Sequence, residues 1–515
     1  MKLYNFQRRI IAMAYVSHSL IKENSIESRL YQETILKTAA AKNTLVVLPT
    51  GTGKTPLAAL LVADRLEKFP ESKILVLAPT KPLASQHEKS FRKFLNIDGD
   101  KIILLTGAMS AQLRAKEYSD AKIILSTPQT SENDIKNGSL NLRNFSLLVV
   151  DEAHRSIGNY AYTSVAKTYR ENSNGLILGL TASPGSSEEK IKQICGNLFI
   201  EAVEIRSETD GDVSPYMQKV ETETIRVDLP ENLKAAQLIL KSMLRKRIER
   251  LNGFRLHILS KKDLLDAQRR IAKQLGRNPA GYAIISAIAE AIKIWYLLEL
   301  AETQSVSASM TYAGKLKKDK SKGAQRIAGD PEFEKAVAIL EKSGEHPKVE
   351  KLVELVSGSV GEGKKVIIFS HYRDNIDLIK SKLSEAAGCS PAVLIGQSGS
   401  KGLSQKEQID IVRSFDDGTY NCLITSPIGE EGLHIGSADT AIFYDTVPSE
   451  IRTIQRRGRV GRSKIGKIVF LITRGTRDEA NFYIARRKEK QMKEILSGMK
   501  KDFEEKAEQK KLGEF

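Results

Sequence analysis

The chain contains 515 residues, too many for a single hydrophobic core, and an average of roughly 150 residues per domain suggests three domains. Hydrophobic residues make up 41% of the chain, which excludes wholesale disorder, and its apolar stretches fall short of the roughly 20 residues that a membrane-spanning helix needs. The 80 lysines and arginines outnumber the 63 aspartates and glutamates, giving a net charge of +17, which favours a polyanionic partner because each neutralised phosphate releases counterions.

The first part of the chain alternates short β-branched runs with helical stretches. The runs are apolar on both faces, as strands must be when helices cover both sides of their sheet. This pattern predicts a parallel sheet in an α/β lobe. The predicted strands are Leu45–Leu48, Ile74–Pro79, Ile102–Leu105, Ile123–Ser126, Leu147–Val150 and Leu176–Leu180.

The same alternation returns in the last third of the chain, with helical segments such as Gln405–Phe415 between some of the runs. It predicts a second α/β lobe. The predicted strands are Val366–Ser370, Ala392–Ile395, Cys422–Thr425, Thr440–Tyr444 and Lys467–Ile472.

Between the lobes the β-branched runs vanish and helix-forming residues dominate, so we expect a helical insertion. Residues 231–330 hold 20 lysines and arginines against nine aspartates and glutamates, a net charge of +11. Within them, residues 311–326 are predicted to form a basic loop, and a solvated linker is an equally open alternative. The predicted helices are Lys234–Arg250, Lys261–Leu275 and Ala283–Glu302.

These patterns predict an α/β protein with two parallel-sheet lobes and a helical insertion between them. The expected boundaries are 1–208 for the first lobe, 209–230 for a connecting segment, 231–345 for the insertion, 346–488 for the second lobe and 489–515 for a charged C-terminal helix or tail. Three scattered cysteines argue against a disulfide framework or a thiolate zinc site and fit a reducing cytoplasm.

A phosphate-binding loop is predicted at Leu48-Pro49-Thr50-Gly51-Thr52-Gly53-Lys54-Thr55, between a strand and a helix. Its glycines let backbone N–H groups approach phosphates, and the helix N-terminus adds positive potential. Lys54 can reach the oxygens of the β- and γ-phosphates of a nucleotide, while the hydroxyl of Thr55 can bind magnesium. The cofactor-binding residues predicted here are Thr50, Gly51, Thr52, Gly53, Lys54 and Thr55.

Adjacent carboxylates end the strand Leu147–Val150, in the run Asp151-Glu152-Ala153-His154. Beside bound phosphate the two carboxylates have separable tasks. Asp151 would hold magnesium through water, and Glu152 would orient and deprotonate the attacking water.

A third motif, Gln455-Arg456-Arg457-Gly458-Arg459-Val460-Gly461-Arg462, lies in the second lobe. Guanidinium groups suit the oxygens of a phosphoryl-transfer transition state because their planar fork stays charged. Gln455, Arg459 and Arg462 are therefore predicted to complete a catalytic site with Lys54 and the carboxylate pair.

Together the three motifs resemble those of superfamily 2 helicases and translocases, which implies two RecA-like lobes that use ATP and Mg²⁺. The resemblance extends to Arg29-Leu30-Tyr31-Gln32, which implies an adenine-reading role for Arg29 and Gln32. It also extends to Thr181-Ala182-Ser183, which implies that Thr181 and Ser183, together with His154, couple hydrolysis to movement. The nucleic-acid contacts that it implies are Thr80, Lys81, Thr127, Gln129 and Thr425.

Longer segments are similar to the archaeal Hef helicase and its relatives, the Fanconi anaemia M-type translocases. That family implies 3′ to 5′ movement along DNA and action on forked or branched structures in replication-fork repair and recombination. The segments are Asp151–Tyr162, Leu180–Gly185, Gly402–Gln405 and Gly429–Leu433.

Two features depart from the family pattern. His434 stands where the family usually has an aspartate, which puts a carboxylate contact near the nucleotide in doubt. Archaeal relatives often continue into a nuclease, so either a helicase without a nuclease or a fragment of a longer chain is expected.

A double-stranded RNA translocase and a non-hydrolysing DNA-binding scaffold are the alternative functions.

The last residues, Gln509-Lys510-Lys511-Leu512-Gly513-Glu514-Phe515, resemble the peptide by which replication proteins dock on the sliding clamp. Leu512 and Phe515 would lie on one face of a helical turn and enter an apolar pocket, while Gln509 would supply a hydrogen bond. A charged disordered terminus explains the same residues.

Overall fold

The computed structural model describes residues 15–217, 220–273, 279–396, 402–426, 438–447 and 466–512. Two fully parallel sheets form the two predicted lobes, and a bundle of helices lies between them in the sequence. The α/β class, the two parallel-sheet lobes and the helical insertion are therefore confirmed. Within the described residues, no helix combines the length and the apolar character that crossing a bilayer requires.

The first sheet has seven strands in the order β3-β4-β2-β5-β6-β1-β7. Leu45 and Val47 pack into the core on one face of this sheet and Val46 into the core on the other, as expected for alternating side chains. Its strands are β1 (Thr44–Val47), β2 (Lys73–Leu77), β3 (Ile102–Leu105), β4 (Ile123–Ser126), β5 (Phe145–Asp151), β6 (Leu176–Thr181) and β7 (Ala202–Ile205).

Helices cover both faces of the first sheet. Short 3₁₀ turns at 99–101, 153–155 and 214–216 complete the lobe. The helices are α1 (Leu30–Ala39), α2 (Lys54–Lys68), α3 (Lys81–Phe94), α4 (Ala111–Asp120), α5 (Pro128–Lys136), α6 (Ala161–Asn172) and α7 (Glu188–Asn197).

The helical insertion has its own apolar core, to which residues such as Leu240, Ile294 and Phe333 contribute. Its helices are α8 (Glu231–Asn252), α9 (Lys261–Lys273), α10 (Pro279–Thr303), α11 (Val306–Lys318), α12 (Lys322–Ala328) and α13 (Pro331–Glu341).

The prediction of a basic loop or linker at residues 311–326 is wrong, because α11 and α12 occupy nearly all of this segment. Small and apolar side chains recur in it at helical spacing and are buried, among them Ala313, Leu316 and Ala324. Ser321 caps α12 by accepting a hydrogen bond from the backbone N–H of Ala324. The lysines occupy the exposed face of these helices, so the segment is basic without being a loop.

The second sheet has six strands in the order β10-β11-β9-β12-β13-β8. Strand β8 (Glu221–Val227) comes from the segment expected only to connect the lobes, and it pairs with β13. The other strands are β9 (Val366–Phe369), β10 (Pro391–Leu394), β11 (Cys422–Thr425), β12 (Thr440–Phe443) and β13 (Lys467–Thr473).

The helices described around this sheet are α14 (Pro347–Gly361), α15 (Arg373–Glu385), α16 (Gln405–Asp416) and α17 (Arg477–Leu512). Helix α17 begins directly after β13, earlier than the residue 489 expected for a C-terminal helix. Its residues Met492, Leu496 and Met499 are buried in the core of the first lobe. A single helix therefore packs against both lobes.

Candidate ATP-binding site

Three predicted motifs meet at one edge of the first sheet. Strands β1, β5 and β6 are neighbours and all run in the same direction. The glycine-rich segment follows β1. Asp151 is the last residue of β5, and Glu152 follows it. Thr181 is the last residue of β6, and Ala182 and Ser183 follow it. The carboxyl edge of a parallel sheet is where α/β proteins bind ligands, so the topology brings the three motifs together.

The glycine-rich segment has the backbone conformation of a phosphate-binding loop. Gly51 and Gly53 have φ angles of 87° and 82°, in the left-handed region that favours glycine. A Cβ atom on Gly53 would lie 2.5 Å from Nε2 of Gln32, so a larger residue would also clash. Helix α2 begins at Lys54, whose Nζ donates hydrogen bonds to the carbonyls of Leu48 (3.0 Å) and Pro49 (3.3 Å).

The predicted adenine-reading element contacts this loop directly. Nε2 of Gln32 donates to the carbonyls of Thr52 (3.3 Å) and Gly53 (3.2 Å), and the hydroxyl of Tyr31 donates to Thr52. The guanidinium of Arg29 pairs with Glu27 and lies 5.3 Å from the ring centroid of Tyr216. The Oε1 atom of Gln32 is buried and has no hydrogen-bond partner among the described residues.

The carboxylate of Asp151 is held by a residue that the sequence analysis did not identify. Nε2 of His87, on α3, lies 2.7 Å from Oδ2 of Asp151, and both side chains are buried. The hydroxyl of Tyr162 donates to the backbone carbonyl of Asp151 at 2.7 Å. Burial alone raises the pKa of Asp151, but His87 and Lys54 outweigh it and hold the pKa below its usual value.

Glu152 has a left-handed backbone, with φ 50° and ψ 49°, which is uncommon outside glycine and typical of functional sites. Its carboxylate lies 3.3 Å from Nδ1 of His154. Burial raises the pKa of Glu152, but the neighbouring imidazole of His154 and the charge of Lys54 contribute to a net lowering. The lowered pKa of each carboxylate favours the ionised form that metal binding and general-base chemistry would use.

The predicted coupling residues are in contact with the carboxylate pair. Nδ1 of His154 lies 3.2 Å from Oγ1 of Thr181, and this oxygen also accepts a hydrogen bond from the backbone N–H of Ser183 (3.1 Å). Thr181 and Ser183 are both buried. His154 thus connects the end of β5 to the end of β6.

One cavity of about 280 Å³ joins the loop and the carboxylates. The residues present fit a magnesium nucleotide, since a hydroxyl and a carboxylate are the hard oxygen ligands that Mg²⁺ prefers when phosphates complete its shell. Thr55 and Asp151 would hold the metal, which when bound neutralises phosphate charge, and Glu152 would take a proton from water. The lining residues are Thr50, Gly51, Gly53, Lys54, Thr55, Pro56, Leu83, Gln86, His87, Ser90, Phe94, Asp151 and Glu152.

Three family models match the chain. The DEAD/DEAH box helicase model matches residues 29–191, and the helicase conserved C-terminal domain matches residues 347–464. Between them, residues 232–346 match the helical bundle of provisionally named ATP-dependent RNA helicases.

The chain is also similar to known proteins over most of its length. A Methanocaldococcus jannaschii protein, provisionally named ATP-dependent RNA helicase MJ1505, is 41% identical over 494 residues, which cover 94% of this chain and 63% of that protein. The ATP-dependent DNA helicase mph1 of Sclerotinia sclerotiorum is 32% identical over 492 residues, covering 88% of this chain and 40% of that protein. The crystal structure of the Pyrococcus furiosus Hef helicase domain matches at 39% identity with a TM-score of 0.70, covering 89% of this chain and 98% of that one.

The chain belongs to the Hef-type family of superfamily 2 helicases. It carries a DEAD/DEAH box helicase domain and a helicase C-terminal domain, with a helical bundle between them. The resemblance stated from the motifs is therefore confirmed. The chain spans less than two thirds of the length of either protein relative named above.

The nucleic-acid contacts expected for a Hef-type helicase lie at the carboxyl ends of their strands. Lys81 and Gln129 are exposed in the first turns of α3 and α5. The hydroxyl of Thr127 lies 2.8 Å from that of Thr130. Thr80 keeps a buried hydroxyl that has no partner among the described residues.

Thr425, the contact expected in the second lobe, is fully buried, and its hydroxyl donates to the carbonyl of Ser426 at 3.0 Å. Other predictions for the second lobe and the terminus lie outside the described residues. They concern Gln455, Arg459, Arg462, His434 and Phe515.

Proposed function

We propose that this chain is an ATP-driven DNA helicase or translocase that acts on forked or branched DNA in replication-fork repair and recombination. The observation that carries the proposal is the cavity in which Lys54, Thr55, Asp151 and Glu152 converge. The name of the mph1 relative, an ATP-dependent DNA helicase, supports DNA as the substrate. Movement from 3′ to 5′ is the polarity that the family implies.

In this proposal ATP and Mg²⁺ are held by the first lobe, and closure of the second lobe completes the site. Lys54 neutralises phosphate charge, and Glu152 orients and deprotonates the attacking water. Gln455, Arg459 and Arg462 approach from the second lobe to stabilise the transition state. The expected compartment is the cytoplasm.

The insertion is proposed to grip the duplex arm while the lobes pull one strand. Residues 231–345 hold 22 lysines and arginines against 13 aspartates and glutamates. Several of these lysines and arginines form ion pairs within the domain, such as Lys246 with Glu332 and Lys317 with Glu334. Lys318, Lys320 and Lys322 are exposed around the turn between α11 and α12, where phosphates can reach them.

The experiment compares ATP hydrolysis with single-stranded DNA, forked DNA and double-stranded RNA, and then unwinding of a fork, a four-way junction and a plain duplex. We expect stimulation by DNA, and displacement of strands from a fork that carries a 3′ single-stranded arm. Glu152→Gln is the control for contaminating ATPases. Stimulation by double-stranded RNA alone would instead support an RNA translocase, the alternative that the provisional name of the M. jannaschii relative favours. No hydrolysis with any ligand would leave a non-hydrolysing scaffold.

A triple variant tests the role of the insertion. Lys318, Lys320 and Lys322 are changed to alanine, and the matched control changes Lys364, Lys380 and Lys382, exposed lysines of the second lobe. Only the first set is expected to reduce the preference for forks and to leave ATPase stimulation by single strands intact. Equal fork preference in both would remove the insertion from branch recognition.

We also propose that Gln509, Leu512 and Phe515 dock on the sliding clamp. The support is the spacing of the three residues, which resembles that of a clamp-docking peptide. Calorimetric titration of the clamp with the full chain and with a chain lacking residues 509–515 tests this. Equal affinity for the two, or no binding by either, would remove the proposal.

A further inference from the structure

Helix α17 is anchored in the second lobe at its first turn. Asp478 forms a buried ion pair with Lys348 of α14 and accepts a hydrogen bond from the hydroxyl of Thr446 (2.9 Å). Arg477 lies 4.1 Å from the ring centroid of Trp295 in the insertion. The beginning of the helix is thus fixed to the second lobe and the insertion.

Further along, the same helix is seated on the first lobe. Met492, Leu496 and Met499 are at most 8% exposed and pack in the core beneath the first sheet. Lys500 adds an ion pair with Glu204 of β7 at 3.1 Å. A change in the relative position of the lobes must therefore strain or shift these contacts of α17 with the first lobe.

Met492 contacts a predicted coupling residue directly. The hydroxyl of Ser183 donates a hydrogen bond to the sulfur of Met492 at 3.0 Å, and Ser183 is only 1% exposed. Ser183 contacts Thr181, Thr181 contacts His154, and His154 contacts the carboxylate of Glu152. These contacts form an unbroken path from α17 to the proposed general base.

A second observation places α17 beside the phosphate-binding loop. A cavity of about 160 Å³ is lined by Pro49 and Thr50 on one side and by Met492 and Lys493 of α17 on the other. The helix therefore lies next to two of the three motifs at this edge of the sheet. Its position is unexpected for a segment that begins in the other lobe.

We propose that Met492 is a positioning residue, through which α17 sets the orientation of Ser183, Thr181 and His154, and thereby that of Glu152. The proposal rests on the ATPase activity proposed above. A thioether is a weak hydrogen-bond acceptor. The apolar packing of Met492, Leu496 and Met499 therefore holds the helix in place, and the hydrogen bond from Ser183 transmits the position of the helix. ATP hydrolysis then depends on how the second lobe lies against the first.

The test uses Met492→Leu in the full chain, because leucine keeps the volume and removes the acceptor. The matched control is Met499→Leu, which makes the same change in the same core without touching Ser183. For each variant we would measure kcat and KM for ATP, with and without DNA, together with the melting temperature. The expected result is a fall in DNA-stimulated kcat of roughly 3- to 10-fold for Met492→Leu alone, with KM and melting temperature unchanged.

A double variant tests whether the contact acts as a unit. Ser183→Ala should lower kcat to a similar extent, and Ser183→Ala with Met492→Leu should be no worse than either change alone. If Met492→Leu fails to fold, Met492→Ile, which also removes the acceptor and keeps a similar volume, takes its place in this series.

Three results would overturn the inference: wild-type kcat in Met492→Leu, equal losses in Met492→Leu and Met499→Leu, or additive losses in the double variant. Each of these leaves the proposed function standing if the unaltered chain hydrolyses ATP in response to DNA. An unaltered chain that hydrolyses no ATP would overturn both.

Discussion

The imidazole of His87 lies 2.7 Å from the carboxylate of Asp151, and both side chains are buried. A histidine so placed fixes the rotamer of the carboxylate that is proposed to hold magnesium. Outer-shell partners of metal ligands are typically worth 10- to 100-fold in metal affinity or activity. His87, which also lines the candidate cavity, is therefore expected to matter through its hold on Asp151.

We expect His87→Ala to raise the Mg²⁺ concentration needed for half-maximal ATPase activity by roughly 10-fold or more. His87→Gln, which keeps a donor near the carboxylate, should recover part of the loss. Magnesium titrations at saturating ATP would show this. An unchanged magnesium dependence in His87→Ala would mean that the contact only packs α3 against β5.

Glu152→Gln should retain nucleotide binding and lose turnover. The amide keeps the size of the side chain and its hydrogen bonding, but it cannot take the proton from water. Loss of a general base typically costs about 10²- to 10⁴-fold in rate. Binding of a fluorescent nucleotide and single-turnover hydrolysis would be measured together, and wild-type turnover would show that another group is the base.

Gln32→Ala should weaken binding of ATP more than that of GTP. The side chain supports the loop through the carbonyls of Thr52 and Gly53, and the family resemblance implies that it also reads adenine. Loss of two or three neutral hydrogen bonds corresponds to roughly a 10-fold increase in KM for ATP. If KM rises equally for ATP and GTP, Gln32 supports the loop but does not read the base.

His346 makes stability depend on pH. Its Nε2 lies 3.1 Å from the carbonyl of Glu302, and its Nδ1 accepts from the backbone N–H of Lys348 at 3.1 Å, so both ring nitrogens are engaged in the neutral form. Burial, together with the charge of Lys348, lowers the pKa of His346 to about 3. Below about pH 6.5 the unfolded chain binds a proton that the folded chain does not.

The stability associated with neutral His346 is therefore present above about pH 6.5 and is lost as the pH falls towards 3, by at most about 1.4 kcal/mol per pH unit. His346→Asn keeps a cap for α14 and should flatten this dependence between pH 6.5 and 4.5. His257→Asn, at an exposed position of the insertion, serves as the control. The test measures the midpoint of urea unfolding across this pH range for the unaltered chain and for both variants. The same dependence of the midpoint on pH in all three proteins would refute the assignment.

Much of the first lobe could be predicted from the sequence because its strands are short, mostly buried and largely apolar on both faces. The predicted strand Ile123–Ser126 coincides with β4, and that at Leu176–Leu180 is one residue shorter than β6. The topology then brings the motifs of the candidate site together, since each follows its own strand.

The features that could not be predicted depend on contacts between residues that lie far apart in the chain. Each of the first four residues of strand β8 is charged or carries a hydroxyl group, and no residue of the strand is fully buried, so it lacks the apolar signal of the other strands. His87 lies in an ordinary amphipathic helix, and only the fold brings it to Asp151. Met492 lies in a helix of very high charge, where the sequence gives no sign that one face packs against another lobe.

The pairing of β8 with β13 has a consequence for synthesis of the chain. Strand β8 leaves the ribosome about 240 residues before its partner. At about 5 to 20 residues per second this interval is roughly 12 to 50 seconds, during which the strand has no sheet to join. Its charged and hydroxyl side chains, Glu221, Thr222, Glu223 and Thr224, are the kind that discourage pairing with other chains, so the composition that hides this strand from prediction also protects it until β13 arrives.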